Sequence, residues 1–308
     1  VGTLALTANS SGTDNTAVGY AAGDAVTTGS DNTLIGDNAG GATTTADSNT
    51  AVGSSALLVN STGADNVAIG KDALVANTTA SNNVAVGSAA LSTTTTGIQS
   101  TAVGHQALKV ATAGYNTAVG YNALLANTTA DSNTAVGAIA LDAATTGGDN
   151  TAVGYNALGG VTTATGNTAI GVNSNDAACT GISNTSIGLN SLGANTSGAY
   201  GTAVGLNALK LNTTGTGNIA VGTGALDANT TGSYNAGFGY NALGANTTAS
   251  NNVAVGWNSL AASTTATNNT AVGTNALQAN TTGDSQTAVG TNALAANTTG
   301  ANHTAVGK

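Results

Sequence analysis

Proline, methionine, arginine and glutamate are absent from this 308-residue chain, and cysteine occurs once. The lone Cys179 rules out an internal disulfide framework and says little about redox compartment. Charged residues make up 6% of the chain, against about 25% in an ordinary globular domain. Its net charge of −9 comes from 13 Asp scattered against four Lys, so no basic face is available for nucleic acid. No run of 18 apolar residues exists, so no segment reads as a membrane-spanning helix. Val1 opens no signal peptide, as in a mature chain or a fragment. Aromatic residues are 3%, a scarcity that by itself suggests disorder. The apolar fraction of 41%, carried by small residues, instead gives the chain enough to pack.

What is present is a repeat. The glycine of an Asn-Thr-Ala-Val-Gly motif recurs from Gly2 to Gly307 at intervals of 17 residues, with a single interval of 16 between Gly104 and Gly120. One repeat reads approximately N-T-A-V-G-Y-N-A-L-x-A-N-T-T-G-x-D, and 18 of them fill residues 1–308 as a single repeat domain without linkers or caps. This period is too short for helix-pair repeats and shorter than most leucine-rich repeats. It suits one coil of an all-β, parallel β-solenoid, with two or three short strands and tight corners per coil. At about 4.8 Å per coil, such a stack predicts a rod roughly 85 Å long. The short coil lacks its residue near Ala113, which places a corner there.

In a solenoid each repeat position becomes a column of stacked side chains. The position before the glycine is Val, Ile or Phe (Val18, Ile35, Phe238), and four residues after it Leu fills 15 of 18 coils (Leu57, Leu124, Leu243). These two columns are the expected core. Thr or an apolar residue two positions before that Val belongs on the same strand face by period-2 alternation. Between them lies a column that is Ala in 15 of 18 coils, including Ala17, Ala51, Ala68, Ala85, Ala152, Ala254 and Ala288. A column facing water alone would tolerate Lys or Asp. Either this one packs against another chain, or the faces are inverted and it sits at a tight point inside.

Asn15, Asn49, Asn66, Asn150 and Asn269 precede the Thr-Ala-Val-Gly run and are expected to hydrogen-bond along the stack as a ladder. The invariant glycine suits a positive φ or a close approach at a corner. Two adjacent columns are Thr-Thr pairs, and Cys179 reads as a packed replacement for one of these threonines. Variation concentrates just after the glycine (Asp37, Lys71, His105) and four residues further on (Asp24, Lys109, Lys210), so both columns face solvent. In the first of them Tyr20, Tyr121, Tyr155, Tyr240 and Trp257 are the residues able to recognise a partner such as a glycan.

Catalytic chemistry is not apparent. His105 and His303 lie many coils apart, and no Cys-x-x-Cys or His-x-x-x-His spacing marks a metal site. No cofactor motif is present, and a convex rod offers no cleft in which a base could sit beside a nucleophile. The expectation is a protein that is not an enzyme. Asn-x-Thr sequons at Asn77, Asn127, Asn229, Asn246 and Asn297 arise from the repeat itself and are read as structural.

The runs Asn66-Val67-Ala68-Ile69-Gly70, Asn83-Val84-Ala85-Val86-Gly87 and Asn252-Val253-Ala254-Val255-Gly256 resemble the head repeats of YadA-like trimeric autotransporter adhesins, a pattern also seen in phage tail-fibre shafts. The resemblance implies a left-handed parallel β-roll, three chains packed side by side, and adhesion at a cell or virion surface. The coil here is longer than that family's, and its Asn-Ala-Leu-x-Ala-Asn-Thr-Thr-Gly half differs. The leading expectation is therefore an extracellular structural or adhesive fibre, a homotrimer joined through the alanine column. The same repeat phase at both ends raises the alternative of a subunit stacking end to end into a filament. A third alternative, ice binding by flat threonine columns, is weakened because adjacent threonines on one strand face opposite sides.

Overall fold

The computed structural model describes every residue from Val1 to Lys308. It comprises two compact units, Val1–Asn150 and Thr151–Lys308. Each is a parallel β-solenoid without helices, with strands from β1 (Thr16–Val18) to β8 (Thr134–Val136) in the first and β9 (Thr151–Val153) to β18 (Thr304–Val306) in the second. Within each unit every strand pairs in parallel with the equivalent residues one coil on, as in Thr16↔Thr33 and Thr270↔Thr287. The 16-residue coil keeps this register, with Thr101 opposite Thr117, because the residue is lost at the turn before Tyr115. A coil carries one three-residue strand rather than the two or three expected. Turns fill the remainder.

The strand faces are the reverse of the expected core. In Thr-Ala-Val the central alanine is buried and its two neighbours point outward. Val18, Ile69 and Val289 are 42%, 39% and 37% exposed, whereas Ala51, Ala152 and Ala288 are fully buried. The valine column is therefore an outer row. The leucine column is interior as expected, with Leu57, Leu124 and Leu243 fully buried. The reason is width. A coil is a flattened loop whose strand wall and turn wall lie so close that a leucine from one side leaves room for only a methyl from the other.

One exchange exhibits this constraint directly. Leu34 replaces alanine on the strand, and glycine replaces leucine opposite it at Gly23 and Gly40. A Cβ on Gly23 would stand 2.6 Å from Leu34 Cδ1, and one on Gly40 2.7 Å from Cδ2. The turn wall gives up two leucines and the strand wall gains one, so bulk on one wall excludes bulk on the other.

The turn wall is built from residues in the left-handed region, including Asn122 (φ 54°) and Leu124 (φ 53°). Left-handed backbone costs a non-glycine residue about 1–2 kcal/mol. Burial of the leucine side chain, worth about 1.5–3 kcal/mol, offsets it. The amides are also used in both directions: Asn122 N–H donates to His105 of the preceding coil (3.1 Å) and Leu124 N–H to Ala140 of the next (3.0 Å). At the strand's end the invariant glycine is obligatory. Gly205 has φ 133°, and a Cβ there would lie 2.7 Å from the backbone carbonyl of Gly222 in the next coil.

Candidate functional site

Two asparagine ladders hold the coils together. In the first, Asn49 N–H and Asn66 N–H each donate to Oδ1 of the preceding coil's asparagine at 3.0 Å, while Asn49 Nδ2 reaches Gly63 O of the coil beyond at 2.9 Å. Asn49 is thus tied to the coils before and after it. Asn15 Oδ1 accepts from Asn32 N–H (3.0 Å), Asn150 N–H donates to Asn133 Oδ1 (2.9 Å), and Asn269 Oδ1 accepts from Gln286 N–H (3.0 Å). All five expected ladder asparagines bond to an adjoining coil, although Asn269 Nδ2 has no partner.

The second ladder was not anticipated as one. It consists of the sequon asparagines. Asn229 Nδ2 donates to Asn212 Oδ1 and Asn246 Nδ2 to Asn229 Oδ1, both at 2.8 Å, and each also closes its own turn onto the carbonyl three residues on. Asn77, Asn127, Asn229 and Asn246 are fully buried, which closes these sequons to modification of the folded protein. Where the column meets Thr94 or Ser263 the donor is lost, and Asn77 Oδ1 and Asn246 Oδ1 have no hydrogen-bond partner.

Cys179 belongs to this second ladder rather than to a threonine column. Gly181 N–H and Asn195 Nδ2 both donate to its sulfur at 3.1 Å. The preceding turn is one residue longer than in other coils, so repeat counting alone misplaces it. The thiol is 1% exposed and burial pushes its pKa up, which disfavours the reactive thiolate. The first threonine of each pair spends its hydroxyl on the next coil, as in Thr213 Oγ1 to Thr230 O (2.9 Å) and Thr230 Oγ1 to Thr247 O (3.0 Å).

The expected interface column is corrected. Ala17 is 7% exposed, and Ala51, Ala68, Ala85, Ala152, Ala254 and Ala288 have no exposed surface. These side chains fill the inside of the coil and cannot touch another chain. The surface available for contact is the opposite face of the same strands. Apart from Ala236 and Phe238, every outward strand residue is Thr, Val or Ile.

The aromatic column lies beside that face, beyond the glycine corner. Tyr20, Tyr121, Tyr155, Tyr240 and Trp257 are each about half exposed, from 49% to 55%. Consecutive coils stack their rings: His105 on Tyr121 with centroids 5.8 Å apart and Tyr240 on Trp257 at 6.3 Å. Next to them Asn241 Nδ2 donates to Asn258 Oδ1 at 3.0 Å. In the second unit the column is apolar through Tyr155, Val172, Leu189 and Leu206, resuming at Tyr240 and Trp257, and all six are exposed. In the first unit the same column holds Asp37, Ser54, Lys71 and Ser88.

A shallow cleft of about 270 Å³ is lined by Asp176, Asn190, Gly193, Ala194, Lys210 and Leu211. No group of three or more His, Cys, Asp or Glu side chains is placed to hold a metal ion. No helix is long and apolar enough to cross a membrane. The chain matches no protein-family model, and no curated protein sequence matches it significantly.

Proposed function

We propose that this chain is a structural and adhesive fibre segment of a cell or virion surface, packed side by side with copies of itself. The observation that carries the reading is the outward strand face: rows of Thr, Val and Ile, free of charge and widened in the second unit by the apolar column from Tyr155 to Trp257. Exposed apolar patches beyond a few hundred Å² mark interaction sites. Ten strands about 4.8 Å apart, with three rows spanning roughly 13 Å, give about 600 Å² on the second unit, at the lower end for a specific interface. A second copy suits this face because its rungs rise by the same step, so side chains can interdigitate coil for coil. Three chains is the assembly that the resemblance of the Asn-Val-Ala-Val-Gly runs implies, and an extracellular location follows from the same resemblance.

The stacked Tyr240–Trp257 pair beside the Asn241–Asn258 amides favours a second reading, recognition of a surface glycan along the aromatic column. Both are tested on the purified chain. Cryo-electron microscopy with sedimentation should find laterally associated oligomers, and Ile170→Lys with Ile187→Lys should dissociate them without altering the circular dichroism spectrum. Monomers at high concentration would overturn the side-by-side reading, and end-to-end filaments would replace it with polymerisation. Glycan-array binding that Trp257→Ala does not reduce would remove the aromatic column from recognition.

A further inference from the structure

The coil Gly171–Ile187 departs from its neighbours at several interior positions at once. Asn175 occupies the leucine column between Leu158 and Leu192, with φ 49° and no exposed surface. Neither its Oδ1 nor its Nδ2 has a hydrogen-bond partner. Around it serine replaces alanine three times. Ser174 Oγ donates to Ser186 Oγ at 2.7 Å and lies 3.0 Å from Ser191 Oγ. The second ladder also changes here, because the Cys179 sulfur, a weak acceptor, takes the place of an amide oxygen. At the rim, Asp176 is partly buried with its carboxylate accepting from Asn156 Nδ2 at 3.2 Å.

The serines satisfy one another, but Asn175 and the sulfur acceptor each remove stabilisation. A buried amide without partners forfeits its hydration, and an asparagine gives up the apolar contacts of the leucine that other coils hold in that position. In a stack where each coil bonds chiefly to its neighbours, stability is close to a sum of coil and interface contributions. A deficit in one coil is therefore felt there, and local opening is drawn from the least stable unit. In the leucine column the adjoining coils carry no such deficit: Leu158 and Leu192 are buried, and their amides bond to Ser174 O and Ala208 O at 3.0 Å.

We propose that the Gly171–Ile187 coil is a yield point built into the solenoid, opening ahead of the coils around it and uncovering the Cys179 thiol when it does. Closed, the thiol is buried and unreactive. Open, it is an ordinary cysteine. The inference does not depend on how copies pack together.

Cys179 supplies its own reporter. The full chain is treated under native conditions with 5,5′-dithiobis(2-nitrobenzoic acid), and labelling is timed. The comparator is the Cys179→Ser, Asn229→Cys variant, which puts the thiol in the same ladder of a coil whose core holds Leu226. Losing Asn229 weakens that coil, a handicap that works against the proposal. Cys179 should still label at least tenfold faster than the comparator thiol, and Asn175→Leu should slow Cys179 by a similar factor. Equal or slower labelling of Cys179, or no slowing by Asn175→Leu, would overturn the proposal. Hydrogen exchange on the unaltered chain gives a reading that needs no variant. The Asn175 and Thr180 amides, bonded to Ser191 O and Thr196 O, should exchange faster than Leu226 and Thr230, bonded to Ala242 O and Thr247 O. Matching protection in the two coils would equally refute it.

Discussion

Replacing Ser263 with asparagine extends the second ladder across the coil that interrupts it between Asn246 and Asn280. On one side Asn195, Asn212, Asn229 and Asn246 are joined in series through their side-chain amides. On the other, Asn280 closes its own turn through Gly283 N–H (3.0 Å) and Gly283 O (2.9 Å). At the break, Ser263 Oγ and Asn246 Oδ1 are both buried without a partner. An asparagine in the same backbone geometry donates to Asn246 Oδ1 and Ala266 O, and its oxygen accepts from Ala266 N–H and Asn280 Nδ2. For four hydrogen bonds at about 0.5–1.5 kcal/mol net each, less about 1 kcal/mol for ordering the side chain, the coil gains about 1–5 kcal/mol. Since 1.4 kcal/mol is tenfold in an equilibrium constant, the Leu260 and Thr264 amides should exchange at least about fivefold more slowly. Ser263→Ala is the control. It removes an unpartnered hydroxyl without building the bridge and should leave exchange nearly unchanged. If Ser263→Asn leaves those amides as fast as before, or makes them faster, the ladder is not what ties the coils.

The remaining predictions test other columns. Gly205→Ala drives a Cβ into the Gly222 carbonyl at a φ that alanine rarely adopts, and should lower stability in urea by about 3 kcal/mol or more. Leu34→Ala should cost about 2–5 kcal/mol by opening a cavity, and adding Gly23→Leu and Gly40→Leu should recover most of it. A triple variant no more stable than Leu34→Ala would show that the two walls do not trade volume. Burial raises the carboxyl pKa of Asp142, Asp176 and Asp227 above its ordinary value. Their folded state holds protons that the unfolded chain releases, so this contribution is present at low pH and lost as pH rises through the folded values. The urea midpoint should therefore fall as pH rises from the ordinary carboxylate value through the raised ones, and substituting the three by asparagine should flatten that fall.

The fold was legible in the sequence because a period that hardly wavers leaves few architectures to choose between. Which face of the strand looks inward was not. Alternation places Thr16 and Val18 on one side and Ala17 on the other, but it gives no sign for inside. The rule that larger apolar residues lie inside chose the valines. What decided against it is a spacing between walls that only coordinates reveal, although Leu34 beside Gly23 and Gly40 was a readable clue that alanine and leucine columns compete for one volume. The ladder of Asn15, Asn49, Asn66, Asn150 and Asn269 was readable because those positions tolerate so little else. The second ladder was hidden by its exceptions, such as Val26, Thr43 and Ala111, and by its sequons, which drew attention to modification instead. Cys179 was misplaced because one turn lengthens by a residue and the next shortens, so the spacing of the glycines stays constant.

The short coil between Gly104 and Gly120 loses a residue at a turn while its strand and its interior columns keep their partners. Inheritance can act on that arrangement in two separate ways. Duplication or loss of seventeen codons adds or removes a whole coil, and the junction it makes is the one already present throughout the chain. Single-codon changes at the exposed positions of a coil, by contrast, alter only local surface. Length and surface chemistry can thus drift independently in a lineage, with coil number set by recombination between near-identical repeats and the outward residues set by point substitution.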